Sequence, residues 1–376
     1  MKEGWEYSTI GDLCDKMNGL WKGKIGPFVN VGVIRNANFT KSFTLSFDNI
    51  EYLDVEAKQY KTRKLQRGDL IVEKSGGSEK QPVGRTVLFD KEEGEYSFSN
   101  FTSVLRIKDR DVISPEFLYK YILFVYLRGD TRKMQKATTG IHNIEFDKFL
   151  SISVPKISLS EQQSIVDYLD SAFAKIDAMK TNAEKALNEA QALFQASLKE
   201  MLEPKEGWEE KTIEHFARIV HGKNQKEVLD SNGSYPIYGS GGNIMGYANA
   251  YLCEAGTTIL GRKGTIDNPL FIDERFWNVD TAFGIIAKDN CNKKYLYYSI
   301  KKVDWAKLNT GTTLPSLTQN VVYNVAMCAP PLSEQQSIVA TLDSLKSKVD
   351  RLQTNYDKIS QECDALKQAL LRQVFE

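Results

Sequence analysis

The chain has 376 residues, 41% of them apolar and 26% charged, and its 49 lysines and arginines balance 49 acidic residues to a net charge of zero. That composition suits two or three folded domains and excludes a wholly disordered chain. Charge balance also excludes a protein that coats nucleic acid by bulk attraction, so any contact with phosphates has to come from segregated basic loops. The longest uninterrupted apolar stretch, 121–127, is too short to cross a bilayer, and the N-terminal MKEGWEYSTI lacks the apolar core of a secretion signal. The five cysteines contain no C-x-x-C pair, which argues against a disulfide framework or a zinc knuckle. The expected setting is the cytoplasm, away from membranes.

In chain order the first element is an opener, KEGWEYSTI at 2–10, which returns as KEGWEEKTI at 205–213 with seven of nine positions identical. A longer frame at 159–203 recurs without gaps at 332–376, identical at 23 of 45 positions and beginning LSEQQSIV both times. The fillings between them, about 11–137 and 214–310, are unlike. Two copies at this period mean tandem domains rather than a solenoid.

The first filling has strand-like runs at 28–33, 69–73, 85–89 and 103–107, then a helix opened by Ser114-Pro115-Glu116 and continued by FLYKYILFVYL. The second has strands at 257–260, 270–272 and 282–287 and a helix, KKYLYYSIKK, at 293–302. The aromatics of both helices recur at helical spacing and read as core faces rather than stacking surfaces.

Each frame predicts one long helix. Ser160 and Ser333 are expected as N-caps, with Gln163 and Gln336 completing capping boxes, and Pro155, Pro330 and Pro331 lie just upstream. Apolar positions then step by four and three. In the first copy they are Ile165, Leu169, Ala172, Ile176, Met179, Ala183, Ala186, Ala190, Leu193 and Ser197. In the second they are Ile338, Leu342, Leu345, Val349, Leu352, Tyr356, Ile359, Cys363, Leu366 and Leu370. A sustained 3.5-residue period is a coiled-coil seam, and the Ala-rich copy facing the bulkier one favours close mutual packing. Pro204 ends the first helix.

Catalytic constellations are absent. There are three histidines, His142, His215 and His221, and no H-E-x-x-H. A phosphate-loop spacing from Gly256 to Gly261 is followed by Arg262-Lys263 instead of Lys and a hydroxyl residue, so it lacks a magnesium ligand. Asp48, Glu56 and Lys58 form a nuclease-like pattern of the kind that arises by chance in charged chains. No G-x-G-x-x-G follows a strand.

Binding features are present instead. In the first filling, a loop between two strands offers Lys74, Ser75, Gly76, Gly77, Lys80, Gln81 and Arg85: its backbone N–H groups and cations suit a phosphate, and Gln81 suits an adenine edge. A run at 58–67 holds five cations (Lys58, Lys61, Arg63, Lys64, Arg67) and no acid, though a solvated face explains it equally well. The second filling offers Tyr238, Gly239, Ser240, Gly241 and Gly242, followed by Arg262, Lys263, Gly264 and Thr265. Each filling ends on a Thr/Gly turn: Thr138, Thr139, Gly140, His142 and Asn143 in the first, Thr310, Gly311, Thr312 and Thr313 in the second. Their recurrence at comparable places in both repeats is the reason to read them as ligand loops rather than ordinary turns.

The paired LSEQQSIV frames with heptad helices, the GWE openers and the string YPIYGSGGNIMGY…ILGRKGTI…FWNVDTAFGI resemble the specificity subunits of type I restriction-modification systems. The resemblance implies an α+β fold with a pseudo-twofold internal repeat: two tandem target-recognition domains with twisted sheets, at 1–157 and 205–330. It implies that the helices at 158–204 and 331–376 form an antiparallel coiled-coil spacer between them. Each domain would read one half of a split, asymmetric site in double-stranded DNA. The chain itself would hold no cofactor and catalyse nothing. Two modification subunits would supply S-adenosylmethionine and adenine methylation, and restriction subunits would supply ATP- and magnesium-dependent cleavage. The Thr-rich turn at 138–143 is less complete than the family's pattern. The alternatives are a protein-interaction adaptor that binds no DNA and a magnesium-dependent nuclease built on Asp48, Glu56 and Lys58.

Overall fold

A computed structural model describes every residue except 1–3, 22, 24 and 139, together with the backbone but not the side chain of Thr138. The chain divides into two compact units, Met1–Thr181 with Lys358–Glu376, and Asn182–Asp357. Each unit therefore takes one half of each frame helix.

In the first unit the runs LIVE and TSVLRI are β-branched and buried along nearly their whole length, as strands covered on both faces are. They sit at the centre of a four-stranded antiparallel sheet ordered Cys14–Asn18, Thr102–Ile107, Leu70–Glu73, Thr86–Leu88. A three-stranded sheet ordered Glu51–Glu56, Phe28–Ile34, Tyr96–Phe98 has one antiparallel and one parallel pairing. The opener supplies Glu6–Thr9, which pairs with Ser153–Lys156 at the threshold of the frame helix. The helix Pro115–Arg128 starts on Ser114, whose hydroxyl accepts from Phe117 N–H at 3.1 Å, and ends on left-handed Gly129. Its residues 117–125 are all buried, as expected of a helix apolar on every side.

The second unit repeats these three sheets strand for strand. Its four-stranded sheet is ordered Ala217–His221, Ala282–Ala287, Thr257–Gly261, Leu270–Ile272. Its three-stranded sheet is ordered Ile244–Ala248, Tyr235–Tyr238, Trp277–Asn278, again with one antiparallel and one parallel pairing. The second opener gives Glu209–Thr212, paired with Ala326–Ala329. Asn292 caps the helix Lys293–Lys302, its side-chain Oδ1 accepting from Lys294 and Tyr295 N–H. Fillings with little sequence in common thus build one fold twice.

The frame helices span Leu159–Met201 and Leu332–Phe375. Ser160 and Ser333 lie inside them. The first is capped instead by Ser158, whose hydroxyl and N–H exchange hydrogen bonds with Glu161 N–H and carboxylate; the matching position in the second is Pro331, whose carbonyl accepts from Glu334 N–H at 2.9 Å. Within the first unit Asp177 pairs with Lys367 and Lys180 with Asp364. The first helix ascends as the second descends, so they run antiparallel. Cys363 Sγ packs on the Ile176 carbonyl at 3.7 Å, and Phe375 meets the rings of Phe117, Tyr121 and Phe124. In the second unit the complementary halves meet, with Phe194, Leu198, Ile338 and Leu342 in one core.

The seam departs from the expected register at Met179, Ala186 and Leu193 of the first helix and at Leu366 of the second. Met179, Leu193 and Leu366 are 59%, 58% and 47% exposed. The inward column takes Val166, Leu187 and Phe194, one residue later than Ile165, Ala186 and Leu193, while Leu169 and Ile176 hold their places. A heptad permits either the three-step or the four-step from a shared position. The helix has turned to bury Leu187 and Phe194 rather than Ala186 and Leu193, which removes more apolar surface from water. In the second helix Lys367 lies along the seam where Leu366 was expected, its ammonium 5.2 Å from the centre of the Phe173 ring and paired with Asp177.

Candidate nucleic-acid interface

The segments expected to bind converge in each unit, by a strand pairing in the first and a single bridge in the second. In the first unit the supposed loop is partly a strand: Ser75–Gly77 pairs with Ile141–Ile144, which turns back on Gln135–Thr138. His142 lies opposite Gly77 and Asn143 opposite Ser75. In the second unit Lys263 bridges Ser316, and Gly264 N–H donates to the Pro315 carbonyl at 2.9 Å. Gly241 lies beside Thr265 and receives Asn268 Nδ2–H on its carbonyl, so the segment 238–243 joins the same cluster.

The backbone scaffolds of the two clusters match. Lys74 and Ser75 N–H both donate to the Phe101 carbonyl, at 2.9 and 3.1 Å; Arg262 and Lys263 N–H both donate to the Thr281 carbonyl, at 2.8 and 3.1 Å. The Lys74 carbonyl accepts from Ile144 N–H at 2.9 Å and the Arg262 carbonyl from Leu317 N–H at 2.8 Å. Gly76 and Gly264 follow with φ of 106° and 84°, the left-handed turn that needs glycine in both. Lys74 and Arg262 are therefore one structural position, as are Ser75 and Lys263.

A third position belongs with them. The strands Phe28–Ile34 and Tyr235–Tyr238 end alike, the carbonyls of Ile34 and Tyr238 accepting from Ser99 and Val279 N–H. Two residues on, Asn36 and Ser240 both face the turn glycine: a Cβ on Gly76 would lie 3.0 Å from Asn36 Nδ2, and one on Gly264 3.8 Å from Ser240 Oγ. Asn36 donates from Nδ2 to the Ser75 carbonyl at 2.6 Å, while its Oδ1 is buried with no partner among the described residues. His142 Nδ1, on the paired strand, is in the same condition. Sequence reading found Ser240 but missed Asn36, because nothing in NANFT resembles YGSGG. The signal was positional, two residues past a strand.

Electrostatics separate free from committed cations. Arg85 is not available to a phosphate: Nε and Nη2 grip the buried Glu73 carboxylate at 2.8 and 3.1 Å, and the guanidinium lies over Phe39. With its amide oriented oxygen-first, Gln81 accepts from that same guanidinium, which takes it away from a base edge. Together they clasp the base of the loop. Tyr126 and Arg132 tie its rim, donating to the Pro82 and Glu79 carbonyls, and leave Lys80 exposed at the tip. Lys74 has no acidic partner among the described residues; burial, and then the charge of Lys16, pull its ammonium below the usual lysine value. The Arg262 guanidinium donates to the Asp280 carbonyl at 3.3 Å and, among the described residues, pairs with no carboxylate.

Asn309, also unforeseen, organises the second unit's turn. Its Oδ1 accepts from Gly311 and Ser316 N–H, both at 2.8 Å, and its Nδ2 donates to the Gly311 carbonyl. Thr310 donates from its hydroxyl to the Ser316 carbonyl, and Thr312 and Thr313 stand exposed at the tip. Tyr238 is committed: its hydroxyl donates to Glu274 at 3.1 Å. Gly140 ends the first unit's hairpin with φ of 82°. Thr139 and the side chain of Thr138 lie outside the described residues. In the run at 58–67, Lys64 and Arg67 pair with Glu95 and Glu92, and Arg63 donates to the Asn18 carbonyl.

Of the nuclease-like set, Asp48 accepts from Ser46 in its own loop, and Glu56 accepts from Ile25 N–H and Gln59 Nε2–H. Among the described residues no group of His, Cys, Asp and Glu is placed to hold a metal, and no helix is long and apolar enough to cross a membrane.

Comparison with known proteins gives a consistent result. The family model of the type I restriction modification DNA specificity domain matches residues 2–189 and again 205–361. Over 196 residues the chain is 29% identical to the StySPI type I restriction enzyme specificity subunit of Salmonella potsdam, and over 141 residues 26% identical to a type I specificity subunit of Haemophilus influenzae. These alignments cover 49% and 36% of this chain and span 40% and 36% of those proteins. Among solved structures, a chain from work on complex assembly and conformational transition of a type I restriction-modification system matches with TM-score 0.80 at 16% identity, covering 100% of this chain and 98% of that one. The HsdS subunit of Thermoanaerobacter tengcongensis matches with TM-score 0.57 at 17% identity, covering 100% of this chain and 97% of that one.

Proposed function

The chain belongs to the family of type I restriction modification DNA specificity domains, and from that premise we propose that it is a non-catalytic subunit which reads a bipartite, asymmetric site in double-stranded DNA. The observation that carries this is the matched pair of cation-bearing turns, Lys74 and Arg262, each held by the same backbone hydrogen bonds in unlike sequence surroundings. A shared cation suits the phosphates that every DNA presents, and unlike surroundings suit unlike bases. The first target-recognition domain is taken as 1–157 and the second as 205–330, with the frame helices at 158–204 and 331–376 as the spacer that sets the unread gap.

Duplicated frames offer two equivalent docking surfaces, which suits two copies of one partner. Those copies would be modification subunits that bind S-adenosylmethionine and methylate adenine. Restriction subunits would add ATP- and magnesium-dependent cleavage, with adenine flipping left to the methylating partner. The test is DNA affinity across a salt series with the chain assembled on its modification subunits. A steep linear fall of log K with log salt supports the reading; salt-independent or absent binding leaves the adaptor reading in its place.

A further inference from the structure

We propose a division of labour within each site: Lys74 and Arg262 hold backbone phosphate, while Asn36 in the first unit and Lys263 in the second select a base. The inference rests on the DNA-reading function above and assigns roles inside it. Three backbone positions coincide between the units, and the side chains on them differ in a telling way. At one, both units carry a cation, Lys74 and Arg262. At the other two the chemistry changes, from Asn36 to Ser240 and from Ser75 to Lys263. What two readers of different sequences share must contact what all DNA shares, and where they differ must contact what distinguishes one sequence from another.

The side-chain chemistry names the base class. Asn36 spends an amide proton on the Ser75 carbonyl and keeps an acceptor, Oδ1, that has no partner among the described residues. A buried carbonyl oxygen left unpaired is costly, and in the major groove its complement is the exocyclic amine of adenine or cytosine. Lys263 carries donors alone, which match the O6 and N7 acceptors of guanine. The structure thus assigns an amine-bearing base to one position of the first half-site and a guanine to one position of the second.

The experiment is selection of bound sequences from a randomised DNA pool by the full chain assembled with its modification subunits, together with a salt series on one fixed duplex. Asn36→Ala should relax a single adenine or cytosine position about tenfold or more and leave the other half-site untouched; Lys263→Ala should do the same to one guanine of the second half-site. Asn36→Ser, which installs the second unit's residue, gives the same relaxation in a side chain the fold already accepts at that place. Lys74→Ala and Arg262→Ala should weaken all sequences alike and lower the salt slope by about one each, with preferences unchanged. The division is overturned if Lys74→Ala changes a base preference, or if both Asn36 variants weaken every sequence evenly. A wild-type complex that selects no sequence at all overturns the DNA reading itself, a distinct outcome.

Discussion

Gln162 accepts the backbone N–H of Ser114 on its Oε1 at 2.9 Å, and Ser114 is the residue that caps the buried helix of the first unit. The second unit repeats the bond, Gln335 accepting Asn292 N–H at 2.8 Å. Both glutamines are almost wholly buried, and their Nε2 groups reach back to the carbonyls at the foot of their own helix, Ile157 and Pro330. The frame motif is therefore a fastener: the first glutamine of LSEQQ ties the long helix to the cap of a helix that the variable filling supplies. Trp208 of the second opener adds to it, donating from Nε1 to Glu334 at 3.0 Å. Opener and frame recur together because they are one piece of structure.

Gln162→Ala should cost about 2–4 kcal/mol, because it leaves the Ser114 N–H and the Val112 and Ile157 carbonyls unpaired in the interior. Gln163→Ala, one residue on and exposed, should stay within about 0.5 kcal/mol. Urea unfolding of the two variants measures the contrast.

The seam register predicts an asymmetry between neighbours on the first frame helix. Leu187→Ala and Phe194→Ala should each cost about 2–5 kcal/mol, and Leu193→Ala under about 1 kcal/mol, since Leu193 is 58% exposed. Equal costs at 193 and 194 would return the seam to the position read from periodicity.

Arg85→Ala should destabilise the first unit by about 3–5 kcal/mol, because the Glu73 carboxylate would be left buried without its partner. Hydrogen exchange should show the loss localised to the strands Leu70–Glu73 and Thr86–Leu88. An Arg85 that served phosphate alone would leave stability unchanged and reduce DNA affinity instead.

All five cysteines are buried, and burial pushes the thiols of Cys14, Cys253 and Cys291 up to about 12. Since only the thiolate reacts, none of these three should be alkylated in the native protein at pH 8, and all should react once it is unfolded. Mass spectrometry after iodoacetamide treatment reads this directly.

Much of this architecture was legible in sequence because it rests on local periodicity. The strands at 270–272 and 282–287 and the helix at 293–302 need only apolar spacing and a cap, and they stand where those signals put them. The seam was legible in its period and at shared positions such as Leu169, Ile176, Ile338 and Leu342, but not at every step of the first helix, because a heptad with Ala186 beside Leu187 permits two registers there and only packing volume chooses between them. The site divided the same way. Its glycine turns show in the sequence, since a left-handed φ demands glycine. That Lys74 matches Arg262, or Asn36 matches Ser240, is a property of backbone hydrogen bonds to Phe101, Thr281, Ile144 and Leu317 that no residue identity records. Arg85 was misassigned for the converse reason: a buried Glu73 twelve residues away is invisible until the strands pair.

The most direct measurement is a genome-wide map of methylated adenines in cells that co-express the chain with its modification subunit, for the natural chain and for one whose residues 214–310 come from a relative. The natural chain should mark one split motif with two unlike halves and a fixed gap, and the exchanged chain should keep one half and the gap while changing the other half. A motif in which both halves change together, or methylation with no motif, would contradict a pair of independent readers on a common frame.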